Sequence, residues 1–590
     1  MRNALVRCIV ALLIASTTAS AAELSASDLD RRRKALNDLL KEQWEYVLRT
    51  SPEFASLIGD KRYNDQSSDV SEAGVRKDAA ANRRFLRRFE VIDTAGFSDQ
   101  EQLNKTLMVK NLEESLEDFD LREWEMPVTQ MSGIHLNTAQ LPGQLSFAIA
   151  KDYDDYLARM RALPKRFDDT IAVMGRGIAG RLMPPKFLLE KVAGQAQELA
   201  DTPAEKSAFA QPLESFPDSI SQADRDRIRT QWLEAIRTAV LPSYAKFARF
   251  VRDEYAPKGR TEVGMWSLPQ GAKRYAARIR HSTTTNMTAD EIHALGLSEV
   301  KRIETEMLAI GNRLGYSDLK SFTAAINANS DLRAKSGEQI LQIYRGYISQ
   351  MAAKLPQLFG RLPKAKLEVV ATEPFREKAA AGADYDPGSP DGSRPGRVHV
   401  NTYDATSRKT ISMESTAYHE GVPGHHMQIS IAQEITGLPD FRRFGGYTSY
   451  VEGWALYTER LGREVGFYQN PYNDFGRLND EMLRAIRLVV DTGLHAKKWT
   501  RQQVVDFFHD HSAIDEVEVQ TETDRYIVWP GQALGYKIGQ LTISRLRDKA
   551  RAALGDRFDV REFHDQVLGA GALPMNVLEA RIDRWIASKR

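Results

Sequence analysis

Apolar residues recur at three- and four-residue spacing along this chain, as in Leu29, Leu36, Leu39, Leu40 and Trp44 and again in Ile303, Met307, Ile310 and Leu314. That is the repeat of a helix with one buried face, so a mainly α-helical protein is expected. Thr288-Ala289-Asp290-Glu291 has the form of a capping box, in which hydroxyl and carboxylate each satisfy a free backbone donor, and it predicts a helix running to about Arg313. The only cysteine is Cys8, so no disulfide braces the rest of the chain and core burial has to hold it together. About 570 residues beyond the N-terminal leader exceed the ~250 to 300 that one core usually serves, which predicts two lobes. Pro269, Gly271 and a Ser/Thr cluster between Gly264 and Asn286 place the boundary there, with an N-terminal lobe over 23–270 and a C-terminal lobe over 271–590 that carries the chemistry.

The leader itself has Arg2, an apolar stretch from Ala4 to Ala15 broken by Arg7, and the small-residue end Ala19-Ser20-Ala21-Ala22. This is the pattern of a secretory signal over residues 1–22, and it predicts a periplasmic or secreted product. No later segment approaches the ~20 apolar residues of a membrane anchor. Cys8 lies inside the apolar region rather than at its end, which argues against a lipid anchor. With 81 basic against 80 acidic residues and no long run of either sign, the chain has no electrostatic footprint for nucleic acid or an anionic membrane. A small or peptide-like substrate fits better.

From Ala379 to Gly396 there are four glycines, three prolines, three aspartates and two serines, a loop composition whose length suits a rim or lid. Leu367-Glu368-Val369-Val370 and Arg397-Val398-His399-Val400-Asn401 flank it with β-branched alternation, and are expected to pair as a small sheet whose edge holds an extended substrate.

The segment that carries chemistry runs Tyr418-His419-Glu420-Gly421-Val422-Pro423-Gly424-His425-His426. Three of the eleven histidines fall within eight residues. Zinc hydrolases hold their ion with two neutral imidazoles and a carboxylate, keep a fourth position open, and set a second carboxylate beside it as base. The familiar spacing puts the histidines at i and i+4, but here Pro423 occupies that place. On a straight helix His425 would be turned about 120° from His419, and His426 would sit about 10 Å along the axis. Pro423 cannot donate to the His419 carbonyl, and Gly421 and Gly424 tolerate unusual dihedrals, so a two-residue bulge is expected to bring His425 into the second ligand position ahead of His426. Glu434, Asp440, Glu452 and Glu459 all follow within reach of a returning helix. Glu452, at the start of an aromatic-rich helical stretch, is the chosen third ligand, with Glu459 two turns on as a partner for an imidazole N–H. Any one of these histidines taken alone reads as an ordinary buried or surface residue; the ensemble points to metal.

These residues resemble the bacterial family called domain of unknown function 885, in the Tyr-His-Glu-Gly-x-Pro-Gly-His-His segment and in Glu452-Gly-Trp-Ala-Leu-Tyr457. The likeness extends to Pro52–Asp65, Gly177–Pro185, Gly264–Pro269, Thr284–Leu297, Arg487–His495 and Arg525–Gly539. Members are similar to glutamate-liganded zinc peptidases of the thimet oligopeptidase and angiotensin-converting enzyme type. The resemblance implies a two-lobed helical metallopeptidase-like fold with a deep cleft, one zinc per chain on His419, His425 and Glu452, and Glu420 as general base. Arg525 to Gly539 resembles the glycine- and tyrosine-rich segment that brings a phenol to the cleft, so Tyr536 is a candidate oxyanion donor. Arg525 and Lys537 are candidate partners for a substrate carboxylate, and His426 joins them on the substrate side. Arg487, Asp491 and His495 share one helical face; a surface ion ladder explains them equally well as a place at the cleft, where His495 would donate to the substrate.

The leading expectation is a zinc metallopeptidase, carboxypeptidase-like or oligopeptidase-like, acting on short peptides. Hydrolysis of a non-peptide amide or peptide-like natural product needs the same zinc and base. A catalytically silent zinc- or peptide-binding protein is the third reading, and Glu420 beside a ligand argues against it.

Overall fold

Several helices in this protein start where a side chain caps them. Thr288 accepts from the Glu291 amide, Glu291 accepts from the Thr288 amide at 2.8 Å, and the helix they open runs Ala289–Arg313 as the sequence predicts. Ser98 and Thr500 open theirs in the same way. A computed structural model describes residues 2–373, 377, 380–388 and 394–589, without the side chains of residues 2–25. Of the leader expected over 1–22 only the backbone from residue 2 is therefore described, and parts of the 379–396 loop lie outside the described residues. Within them the chain is mainly α-helical with one small sheet, and no helix is long and apolar enough to cross a membrane.

Two compact units divide the chain, Met1–Gly259 and Arg260–Arg590; the sequence placed the division at 270/271. In the first, α1 (Ala150–Gly180), α2 (Lys186–Asp201) and α3 (Leu241–Phe250) enclose an aromatic core, with Tyr156 stacked on Trp232 at 5.5 Å and Phe167 against Tyr244 at 4.9 Å. Two polar tips inside it are satisfied, Trp232 Nε1 by the Phe209 carbonyl and Tyr244 hydroxyl by that of His135. Arg159, buried on α1, donates to the carbonyls of Pro52, Tyr63 and Gln66 and so holds that segment in place.

The second unit carries α4 (Ala289–Arg313), α5 (Gly337–Ala352) and strands β1 (Leu367–Ala371), β2 (Ala383–Asp386) and β3 (Gly396–Val400). It continues through α6 (Met413–Glu420), α7 (His425–Gln433), α8 (Thr448–Glu464) and α9 (Pro471–Ala496). Last come α10 (Glu516–Val528) and α11 (Leu534–Leu554). The sheet differs from expectation. It has three strands in the order β1-β3-β2, with β1 parallel and β2 antiparallel to β3, and β2 forms from the stretch read as loop. Ala383-Asp384-Tyr385-Asp386 gains its ladder only because the chain folds back along β3, a tertiary gain that local composition does not report. Val398 and Val400, fully buried, pack against Ile340 and Tyr344 of α5 and Met413 and Ala417 of α6, fixing α6 against the sheet.

Helices α8 and α11 cross without side chains between them. A Cβ at Gly539 would lie 1.8 Å from the Ser449 carbonyl oxygen, one at Gly453 would lie 2.4 Å from the Gly539 Cα, and one at Gly535 would meet Thr448 at 2.8 Å. Four-residue spacing of Ser449 with Gly453 and of Gly535 with Gly539 makes the seam. It brings the backbone bearing Glu452 against the backbone bearing Tyr536. Gly539→Ala is therefore expected to lower stability by about 1–3 kcal/mol, the usual cost of overpacking. Gly346→Ala, at an open position on α5, should be neutral or stabilising by up to about 1 kcal/mol. Denaturant unfolding of the two variants checks the contrast; equal midpoints would show that the seam can yield.

Candidate metal centre

The helix carrying His419 does not bulge. It stops at Glu420 and restarts at His425, with Gly421–Gly424 as a complete break that includes a cis Val422–Pro423 bond. A Cβ at Gly424 would fall 1.9 Å from the His419 carbonyl oxygen, so only glycine permits the chain to pass. Three contacts hold the break: the Gly424 amide donates to the Tyr418 carbonyl, the His426 amide to that of Gly421, and Trp454 Nε1 from α8 to that of Pro423 at 2.9 Å. The outcome is the one that a bulge was expected to give. His419 and His425 stand with ring centroids 4.8 Å apart and planes perpendicular.

Glu452 Oε2 lies 3.5 Å from His419 Nε2 and 3.5 Å from His425 Nε2. Donors about 2.0–2.2 Å from a tetrahedral ion are themselves roughly 3.4 Å apart, so each of these two distances matches one edge of the donor set around such an ion. His419, Glu420 and His425 also offer ligand atoms within 4.8 Å of one another, but the Glu420 oxygen is 4.0 Å from His419 Nε2, beyond that tetrahedral edge. Behind the cluster, His419 Nδ1 bonds Glu459 Oε1 at 2.8 Å, which turns the Nε2 lone pair toward Glu452 and His425. Both partners are buried, at 3% and 2% exposure.

Carboxylates at the site outnumber the imidazoles. Burial lowers the His419 pKa, but hydrogen bonds to Glu452 and Glu459 outweigh it and the group is pushed up to about 10. Burial raises Glu452, and His419 and His425 more than reverse this, holding it well below the carboxylate range. Glu420 is raised by burial, with Glu452 and Asp384 adding to the effect against the two imidazoles. Three carboxylates thus face two histidines in a space where unpaired charge is costly. Donor types, spacing and electrostatics all fit a divalent ion of the kind that takes His, His and Glu.

A family described as "Bacterial protein of unknown function (DUF885)" matches residues 52–582. The chain belongs to the DUF885 family. No curated protein matches it. Solved structures resemble it as well. A candidate lipoprotein from Colwellia psychrerythraea shares 28% identity at a TM-score of 0.89, covering 95% of this chain and 100% of its own. A candidate lipoprotein of unknown function from Shewanella oneidensis shares 18% identity at a TM-score of 0.71, covering 92% of this chain and 99% of its own, a likeness of fold.

In this DUF885 chain the remaining expected residues separate. Tyr536 is half-buried on α11; burial and then the Glu452 carboxylate push its phenol up, while Arg487 and Arg525 oppose them. Arg525 Nη2 reaches the Tyr536 hydroxyl at 3.5 Å. Three expectations need correction. His426, placed on the substrate side, is buried with Nδ1 on the Tyr385 hydroxyl and Nε2 on the Ala365 carbonyl, a strut from α7 to the sheet. His495 is 1% exposed; it accepts from the Met265 amide and donates to the Tyr526 carbonyl, leaving no donor for a substrate. Lys537 is fully buried and spends its ammonium on Glu481, Glu299 and Gln540, cross-linking α4, α9 and α11. Nor do Arg487, Asp491 and His495 form a surface ladder, for all three are buried. Sequence reasoning missed Asp384, whose charge acts on Glu420 from the edge strand and whose loop-like surroundings gave no signal.

Because His425 and not His426 faces Glu452, His425→Ala is expected to lose zinc that His426→Ala retains. Elemental analysis of the two purified proteins after zinc loading checks this. Glu459→Gln should weaken zinc affinity by roughly 10- to 100-fold, the usual effect of removing a ligand's supporting hydrogen bond.

Proposed function

We propose that this protein is an exported zinc-dependent hydrolase of peptide bonds in short peptides, with one zinc per chain on His419, His425 and Glu452. The observation that carries the reading is the placement of Glu452 Oε2 at 3.5 Å from both imidazole nitrogens, with Glu420 beside them and outside that contact. The leader pattern and the description of both structural neighbours as candidate lipoproteins support export. The likeness of the motif to glutamate-liganded zinc peptidases supports the reaction class.

When bound, zinc supplies Lewis-acid polarisation of the substrate carbonyl and of the attacking water. Glu420 takes the proton that this water loses as its oxygen bonds to the carbonyl carbon. It returns the proton to the amide nitrogen as the C–N bond breaks, so acid and amine leave with atoms and charge balanced. Burial above all, with Glu452 and Asp384 adding to it, raises Glu420 from its ordinary value. Tyr536, held high by burial and Glu452, stays protonated and donates a hydrogen bond to the carbonyl oxygen as that atom gains negative charge. Glu459 keeps the His419 ring in one tautomer and one orientation throughout.

Glu420→Gln preserves shape and removes the base. The variant is expected to hold zinc at the native stoichiometry while turnover of short peptides falls by at least ~10²-fold. Zinc content and peptide turnover measured on the same preparation check it, and native turnover in this variant would refute the assignment of the base.

A further inference from the structure

Beside the candidate centre lies a group of cations with too few anions. Arg487 of α9 and Arg525 of α10 both reach Glu522, at 2.9 and 3.0 Å, and Arg487 lies 4.6 Å from the centre of the Tyr536 ring. Further out, Glu518 acts on both Arg484 and Arg487. Two guanidiniums thus contact one carboxylate, and among the described residues Arg487 Nη1 and Arg525 Nε have no hydrogen-bond partner although buried. Unmet guanidinium donors in low dielectric are costly and favour an incoming anion.

Arg525 is the reachable member. Its side chain is 16% exposed, lies 5.9 Å from the centre of the Trp529 ring and 6.0 Å from that of Tyr536, and is steadied by Gln532 Oε1 at 2.8 Å. The glycine seam packs the α8 backbone that bears Glu452 against the α11 backbone that bears Tyr536, and Tyr536, whose phenol feels the Glu452 charge, links Arg525 to the metal cluster.

We infer that Arg525, backed by Arg487 and flanked by Tyr536 and Gln532, is the seat for a carboxylate of the substrate, so that the peptides taken are those with a free carboxylate close to the amide that is cleaved. The inference rests on the hydrolase reading for its place beside the reacting bond. A guanidinium donates charge-assisted hydrogen bonds to a carboxylate with a geometry that an ammonium does not offer. Arg487 is a positioning residue: it holds the Tyr536 ring and keeps the local charge positive after Glu522 is counted.

The carboxylate has two sources, the C-terminus of a peptide or an acidic side chain, and three ligands separate them: N-acetyl-Ala-Ala, its C-terminal amide, and N-acetyl-Ala-Glu amide. Binding is measured calorimetrically on zinc-loaded protein in the Glu420→Gln background, where turnover does not intrude, with and without Arg525→Met. The acid is expected to bind at least ~10-fold tighter than its amide, and Arg525→Met to remove the difference at unchanged zinc content, which shows that the ion is not the source of the preference. Arg525→Lys, with charge but no fork, should keep only part of it. A glutamyl amide as tight as the acid assigns the seat to side chains. Equal binding of all three, or a preference that survives in a folded Arg525→Met protein, overturns the inference. Turnover of the same peptides by the parent protein tests the other reading separately: an acid preference that depends on Arg525 with no cleavage of any peptide would end the hydrolase proposal and leave the seat standing.

Discussion

The site depends on one close approach, that of Gly424 to the carbonyl of His419. A side chain there would push the two helices apart, and His425 would no longer face His419. Everything built on that approach is already fixed from outside. The sheet holds α6 through Val398, Val400 and Ala417, Trp454 holds the Pro423 carbonyl, and Tyr385 ties His426 to β2. With both helix ends restrained, the imidazoles lose little further entropy on converging.

Electrostatics then explain why such a cluster is kept. Glu420, Glu452 and Glu459 stand with two imidazoles in a buried arrangement in which hydrogen bonds to Glu452 and Glu459 raise His419 and burial above all raises Glu420. A second charge imbalance, of opposite sign, lies across Tyr536 at Arg487 and Arg525. A group of carboxylates and imidazoles and a pair of guanidiniums both act on one phenol. This is the charge layout that a substrate with a carbonyl to polarise and a carboxylate to anchor would satisfy, and folding stability alone gives no reason for it.

What could be read in the sequence follows from whether the cause was local. The Thr288–Glu291 box and the helix it opens are local, and they appear where expected. His419, Glu420 and His425 are close in sequence, and Glu452 and Glu459 were reachable because their spacing repeats the helical turn; the structure brings all five together. Lys537 and His495 were misjudged because a sequence shows a polar group on a helix and not what covers it. Glu299 and Glu481 neutralise Lys537 from two other helices, and the Met265 amide and Tyr526 carbonyl close off His495. Strand β2 was hidden in a Gly-, Pro- and Asp-rich stretch because its partner, β3, supplies the whole of its hydrogen bonding. The α8–α11 seam was visible as small residues every fourth position, a signal that acquires meaning only when both helices are compared.

The most direct test of the central claim is anomalous X-ray scattering at the zinc edge from crystals of the zinc-loaded protein. The account predicts one strong peak per chain, about 2.0–2.2 Å from His419 Nε2, His425 Nε2 and a Glu452 carboxylate oxygen, with Glu420 outside that distance. An empty site at full zinc loading, or a peak held by His426 in place of His425, would contradict it.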